Sequence, residues 1–398
     1  MTTVSPAEEA RQDTLKVLCI IDTLGMGGGA EQLIASLAEP MRQLAVELVF
    51  VDLFGWPDDL GKDLEAQSFT VHRLKMKSQW NFIFGLIALS KIVKIHSVKM
   101  VWGNLFFGNL YASMLQAIFP QVKGIITLHS CGAQGKVSST VKSRMVEHFE
   151  KFFTTRAKYK VAVSRSVRSH YLSNRHWKDI IVIPNGVDVN KVTTISQATA
   201  RQNIRESFSI GKPNYLVTVP ARFVKEKGHS ILIDAIALMD SEYGMKPIFI
   251  LVGQHTPLVN AVRDKCSEKG LDDLRVRFSH PIPHKELIAL MASSDCVVLS
   301  SLQEAFGIAA VEAMACNVPV VLTRIDGLAE LDPFSSYVHY VEPGDAKQLA
   351  AAIAHCLQNH TYADQMSHGM GTIIAKKFDI SKCAEKWSDL MISGRCNE

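Results

Sequence analysis

Glu304 and Glu312 flank a junction between an apolar run and a helix-forming stretch, within the string Glu304-Ala305-Phe306-Gly307-Ile308 and onward to Glu312. The run Cys296-Val-Val-Leu299 ahead of it reads as a buried strand, broken by Ser300, Ser301 and Gln303. Ala309, Ala310, Ala313, Met314 and Ala315 then favour a helix. Glu304 is therefore placed on a loop at the carboxyl end of a strand, where open α/β sheets bind ligands. Glu312 follows about two turns later and can face the same crevice. The helix start offers unbonded N–H groups and the positive end of a dipole, which suits an anion. Carboxylates that hold hydroxyls, beside amides that hold phosphate, would suit a nucleotide sugar. Taken singly, each glutamate reads equally well as a solvated surface charge.

Arg222 and Lys227 lie in Ala221-Arg-Phe-Val-Lys-Glu-Lys-Gly228, after the strand-like run Leu216–Val219. A rigid guanidinium and a flexible ammonium at this spacing can both reach one diphosphate, although a surface basic pair would look the same. Leu251-Val252-Gly253 ends another strand, near the expected ligand cleft. Gly25-Met-Gly-Gly28-Gly29-Ala30 joins the first strand to the first helix and nearly matches a dinucleotide loop, with Asp52 where a dehydrogenase would hold its ribose. His129, in Thr127-Leu-His-Ser130, closes a strand and is either structural or an active-site group. Pro184-Asn-Gly-Val-Asp188 is a turn signal.

Together these strings resemble the retaining glycosyltransferases of the GT-B fold, the large family-four type with its E-x7-E signature. The resemblance implies that Glu304 contacts the donor sugar, Glu312 the ribose, and Arg222 and Lys227 the departing diphosphate. It makes Ala305, Phe306, Gly307, Ile308 and Gly253 part of the donor site. It reads Gly28 and Gly29 as a loop whose bare backbone approaches donor phosphate or acceptor, and sets His129 against the transferred sugar. The catalytic candidates are thus Glu304, His129, Arg222 and Lys227. Departures are Ala221 and Asp326 for glycines, Asn317 for glycine, and His280 for glycine near the base-binding loop. The last leaves UDP and GDP both open.

The family implies transfer with retention to an acceptor hydroxyl, expected on a lipid-linked or polysaccharide-precursor glycan. A sugar-nucleotide epimerase, a transferase for a small soluble acceptor, and a binding module that has lost catalysis are the competing readings. No two aspartates are separated by a single residue, so no D-x-D metal motif exists. No metal or other cofactor is expected, nor a nucleic-acid partner.

These residues need a frame to position them. Apolar β-branched runs alternate with amphipathic stretches through most of the chain, and the series restarts near Leu216, which predicts parallel sheets with helices on both faces. The expected architecture is α/β, GT-B: two Rossmann-like doubly wound domains facing a central cleft. Residues 1–190 form the acceptor domain, 191–375 the nucleotide-sugar domain, and 376–398 a helix crossing back to the first. The polar, Thr- and Gln-rich stretch Thr193–Asn203 lies near the boundary between the two domains. A length of 398 residues suits two cores.

The 47% hydrophobic and 21% charged fractions describe a globular chain. The polar start lacks a signal-peptide core, and no run reaches the roughly 20 apolar residues of a bilayer span. Eight cysteines without C-x-x-C or zinc spacing fit a reducing cytoplasm. Cys296 and Cys316 read as core. Residues 1–190 carry 22 Lys/Arg against 16 Asp/Glu. Lys136–Lys178, opposed only by Glu147 and Glu150, reads as a solvated face or as a surface for anionic lipid, which would make the protein peripheral on the inner membrane face.

Overall fold

The computed structural model describes residues 14–25, 28–55, 59–76, 81–130, 151–211, 214–328, 330–331, 338–359 and 369–396. The chain forms two compact units. One comprises residues up to Gly186 together with Ile380 onward; the other is Val187–Asp379.

The first unit holds seven parallel strands: β1 (Leu15–Ile21), β2 (Val46–Asp52), β3 (Thr70–Arg73), β4 (Met100–Asn104), β5 (Lys123–Leu128), β6 (Tyr159–Ala162) and β7 (Ile180–Val182). Their order is β3-β2-β1-β4-β5-β6-β7. The central strands are apolar on both faces because helices cover both; Val17–Ile21 are fully buried. Right-handed crossovers put the helices Phe82–Ile95 and Leu105–Ile118 on one face and Gly29–Gln43 on the other. The helix Ile380–Ser393 packs against Gly29–Gln43, and its Trp387 ring lies 4.6 Å from that of the buried Trp102 on β4. The end of the chain thus completes the core of its beginning.

The second unit repeats the pattern with β8 (Leu216–Pro220), β9 (Ile248–Val252), β10 (Val276–Ser279), β11 (Cys296–Leu299), β12 (Val320–Thr323) and β13 (Val338–Val341), ordered β10-β9-β8-β11-β12-β13. Both sheets reverse their direction of growth at one point, between β1 and β4 and between β8 and β11. Loops diverge there and leave a crevice at the strands' carboxyl ends.

One detail differs from the sequence reading. The units divide after Gly186 and before Ile380, not after 190 and 375, because the Val187 amide bonds to the Phe378 carbonyl at 2.7 Å and ties both passages together. The Thr193–Asn203 stretch does lie close to that boundary. It lies within the helices Val189–Ala198 and Arg201–Ser207, the first capped by Asp188 and buried through Val189, Val192 and Ile195. Its polar composition belongs to the exposed face. Cys296 and Cys316 are buried and unpaired, as their apolar surroundings imply.

Candidate functional site

In the second unit, the loops after β8 and β11 meet at the switch point. The Ser300 hydroxyl donates to the Lys227 carbonyl at 3.1 Å, and the Leu302 and Gln303 amides donate to the Glu226 carbonyl at 2.7 and 3.1 Å. Gly228 permits this approach: its φ is +65°, and a Cβ there would lie 2.0 Å from the Ser300 carbonyl oxygen. The strapped loops bring Lys227 and Glu304 into an ion pair, and the Ser301 hydroxyl donates to the same Glu304 oxygen at 3.0 Å. Both side chains are mostly buried, so the pair is weakly screened. Arg222 is exposed at the mouth of the β8 loop and has no ion pair or side-chain hydrogen bond among the described residues.

Gly253 ends β9 against this loop; a Cβ there would stand 2.1 Å from the Ala221 carbonyl oxygen. Gly327 meets the Glu304 carbonyl still more closely, at 1.7 Å for a hypothetical Cβ. Ala305 is half-buried. Gly307, at φ +82°, opens the helix Ile308–Ala315, whose start no side chain caps. Phe306 departs from the expected role: its ring is fully buried, edge-on to Phe378 at 5.4 Å, so only its backbone is left for a ligand. Ile308 likewise packs against the apolar core.

Glu312 is buried on that helix and accepts from His284 Nε2 at 2.7 Å, while His284 Nδ1 is buried without a partner among the described residues. The two glutamates of the string therefore answer to different partners, Lys227 and His284. Neither Ser301 nor His284 carried a spacing signal that would have marked it beforehand.

Beside the β8 loop lies an aromatic stack. The exposed His280 ring is 3.9 Å from that of His255, which stands edge-on to Phe223 at 5.1 Å. His229 stacks on the other side of Phe223 at 4.5 Å. Burial, reinforced by the Lys227 charge, lowers the His229 pKa to about 4 and keeps that ring neutral.

In the first unit, the loop after β1 and the loops after β4 and β5 gather a second set of groups. Gly28 precedes the helix Gly29–Gln43, and the Glu31 carboxylate lies against it, 1.9 Å from where a Cβ would be. A carboxylate at this helix start already answers its positive end, which suits hydroxyls better than phosphate. Asp22 accepts from the Gly108 amide at 3.0 Å. Burial pushes its carboxyl up to about 7, against the Gly108 and Phe107 amides and with the help of Glu31 and Asp52. His129 is half-buried. Its Nε2 bonds at 3.1 Å to Oδ1 of the fully buried Asn104, whose Nδ2 donates to Cys19 Sγ at 3.5 Å. Burial holds the His129 pKa at about 4, so the ring is neutral, with Nε2–H donating and Nδ1 left as an acceptor.

Asp52 is not a ribose ligand. It is fully buried and accepts from the backbone amides of Leu24, Phe54 and Gly55 at 3.1, 3.1 and 2.6 Å. It staples the ends of β1 and β2, which removes the dinucleotide alternative for this loop. Gly27, and Lys136, Lys142 and Arg144 of the basic segment, lie outside the described residues.

Comparison with known proteins agrees with this geometry. The family model "Glycosyl transferases group 1" matches residues 200–370, and "Glycosyltransferase Family 4" matches 27–191. Mannosylfructose-phosphate synthase of Agrobacterium fabrum is 32% identical over 178 residues, 43% of this chain and 38% of that protein. The chain thus spans well under half the length of that relative. A glycosyltransferase of Methanocaldococcus jannaschii is 24% identical across 89% of this chain and 92% of its own. Anabaena HepE, crystallised with UDP and glucose, superimposes with a TM-score of 0.78 at 21% identity, covering 95% of this chain and 100% of that one. With one family model on each sheet and a GT-B neighbour covering both, the chain belongs to the family-four, group 1 type of GT-B glycosyltransferases.

Proposed function

We propose that the protein transfers a sugar, with retention of anomeric configuration, from a nucleotide diphosphate sugar to an acceptor hydroxyl of a lipid-linked or polysaccharide-precursor glycan on the cytoplasmic side. The observation that carries this reading is the Lys227–Glu304 ion pair at the switch point of the second unit, with the exposed Arg222 on the same loop after β8. The exposed guanidinium and the ammonium take the charge that develops on the leaving diphosphate, a role in which preorganised groups act strongly. The uncapped start of Ile308–Ala315 adds N–H donors for the same anion. Glu304, already bonded to Lys227, accepts a hydroxyl of the donor sugar, and Glu312 one of the ribose.

The acceptor hydroxyl attacks the anomeric carbon on the face from which the phosphate leaves, and a departing phosphate oxygen takes its proton. Retention follows without a covalent intermediate. In the first unit, His129 offers Nδ1 to a sugar hydroxyl, and Asp22 and Glu31 suit acceptor hydroxyls. That reassigns Gly28 and Gly29 from donor phosphate to acceptor. Two cations and a helix start make a divalent ion unnecessary for the diphosphate. The exposed His280 face is offered to the nucleobase.

The test is incubation with UDP- and GDP-hexoses without acceptor. UDP comes first because the structural relative HepE was crystallised with it. Slow nucleotide release, insensitive to EDTA, with the α-hexose as first product of an α-donor by NMR, is expected. Failure of every nucleotide sugar to bind or break down would overturn the assignment, and dependence on added Mg²⁺ or Mn²⁺ would overturn its metal-free form.

A further inference from the structure

We infer that the Phe82–Ile95 face of the first unit docks onto a bilayer bearing anionic lipid. Gly85, Leu89, Ile92 and Val93 of this helix are buried against the core. The opposite side is apolar too: Ile83, Phe84, Ile87 and Ile95 are 74, 58, 53 and 72% exposed. A helix that is apolar all round belongs in an apolar surrounding, and a contiguous exposed apolar patch marks a contact surface. Ile83, Ile87, Lys91 and Ile95 follow one another at i, i+4 spacing and form a single ridge. No helix among the described residues is long and apolar enough to cross a membrane, so this ridge is suited to lying on one.

The charge pattern selects lipid over a protein partner. From Ala66 to Val146 the chain has no Asp or Glu over 81 residues, while ten Lys or Arg fall in the same stretch. Lys91 and Lys94 are exposed on the helix itself. Lys94 Nζ lies 5.8 Å from the Phe119 ring, beside Ile118, which is 48% exposed. Gln116, on the same neighbouring helix, donates to the Arg156 carbonyl at 2.9 Å and accepts from the Lys158 amide at 2.9 Å. That ties exposed Phe152, Arg156 and Lys158 to the same face. Aliphatic and aromatic side chains rimmed by lysine and arginine, with the helix itself inside a stretch that has no Asp or Glu, match an anionic interface. The inference rests on the reading above only for its purpose, access to a lipid-linked acceptor.

Flotation with phosphatidylcholine vesicles, with and without phosphatidylglycerol, tests it in the absence of donor and acceptor, so its outcome is separate from that of the activity assay. The wild type should float with the anionic vesicles at low salt and be released by high salt. Ile83→Ser/Phe84→Ser/Ile87→Ser and Lys91→Glu/Lys94→Glu should each lower partitioning by more than about tenfold, since each surface cation contributes several-fold near anionic lipid. Circular dichroism should be unchanged, because the altered side chains are exposed. Wild-type protein that stays behind, or variants that float as it does, would overturn the proposal. So would a dimer, seen by sedimentation velocity and abolished by the triple serine variant, in protein that does not float; the occupant would then be a second copy.

Discussion

Lys227 and Arg222 differ in what the protein asks of them before any ligand arrives. Lys227 is held by Glu304 in a mostly buried pair, whereas Arg222 stands exposed and unpaired among the described residues. Arg222→Ala should therefore lower kcat/KM by about 2–4 kcal/mol of transition-state stabilisation while leaving Tm nearly unchanged. Lys227→Ala should lose a similar amount of activity and also lower Tm, since it leaves the Glu304 carboxylate with only the Ser301 hydroxyl. Steady-state kinetics beside thermal melts separate the two, and wild-type rates in both variants would refute the clamp.

The titrating groups of the first unit pull stability in opposite directions. His129, held near pKa 4 by burial, stays neutral in the fold, while the unfolded chain takes up a proton near its ordinary value of 6.5. Stability from this group is thus lost as pH falls from about 6.5 to 4. Asp22, raised to about 7 by burial, keeps its proton in the fold between 3.8 and 7 while the unfolded chain has lost it. Its contribution declines as pH rises through that window. Asp22→Asn should raise Tm at pH 8 relative to wild type, and His129→Gln should flatten the acid limb. Melts from pH 4 to 8 on both variants decide the matter.

At the scale of elements, the switch-point loops are shaped by glycines that no other residue can replace. Gly327 is the clearest case, since its Cβ position falls 1.7 Å from the backbone carbonyl of Glu304, which cannot swing aside as a side chain would. Gly327→Ala must move the Glu304 loop, and should cost more than about 2 kcal/mol in stability and weaken donor binding further. Gly211→Ala has open space around its Cβ and serves as the control. Nucleotide titrations by calorimetry on both variants check this, and equal donor affinity would show that the loop does not set the Glu304 position.

For the whole molecule, the decisive fact is that the first unit is discontinuous. Ile380, Cys383, Trp387, Leu390 and Met391 are buried in it, with Trp387 against Trp102. Burying side chains of this size contributes about 1.5–3 kcal/mol each, which together rivals the net stability of a domain. Residues 1–186 alone should therefore lack fixed tertiary structure, with weak near-UV dichroism. Adding the Ile380–Ser393 helix as a fused segment should restore it. A native-like melt of 1–186 alone would show that the helix is dispensable.

What the sequence determined by itself was the kind and order of elements and the glutamate string that resembles the family's signature. Runs such as Val46–Val51 and Cys296–Leu299 are apolar on both faces, so their period and composition show buried parallel strands without any partner in view. Glu304, Gly307 and Glu312 could be read because strand, loop and helix follow one another within a few residues. Pairings between distant residues were left to the tertiary structure. Lys227 and Glu304, 77 positions apart, become a pair only because β8 and β11 are neighbours in the sheet, and His284 reaches Glu312 in the same way across 28. Asp52 could have been a ribose ligand only under the dinucleotide alternative, and Phe306 read as part of the donor site; packing makes one a staple and puts the ring of the other in the core. Thr193–Asn203 is polar because its composition records the solvent face, whereas Val192 and Ile195 had to find a core before that stretch could be a helix. Local periodicity acts over a few residues and is written in them; burial and ion pairing depend on which strands lie side by side, which only the folded sheet decides.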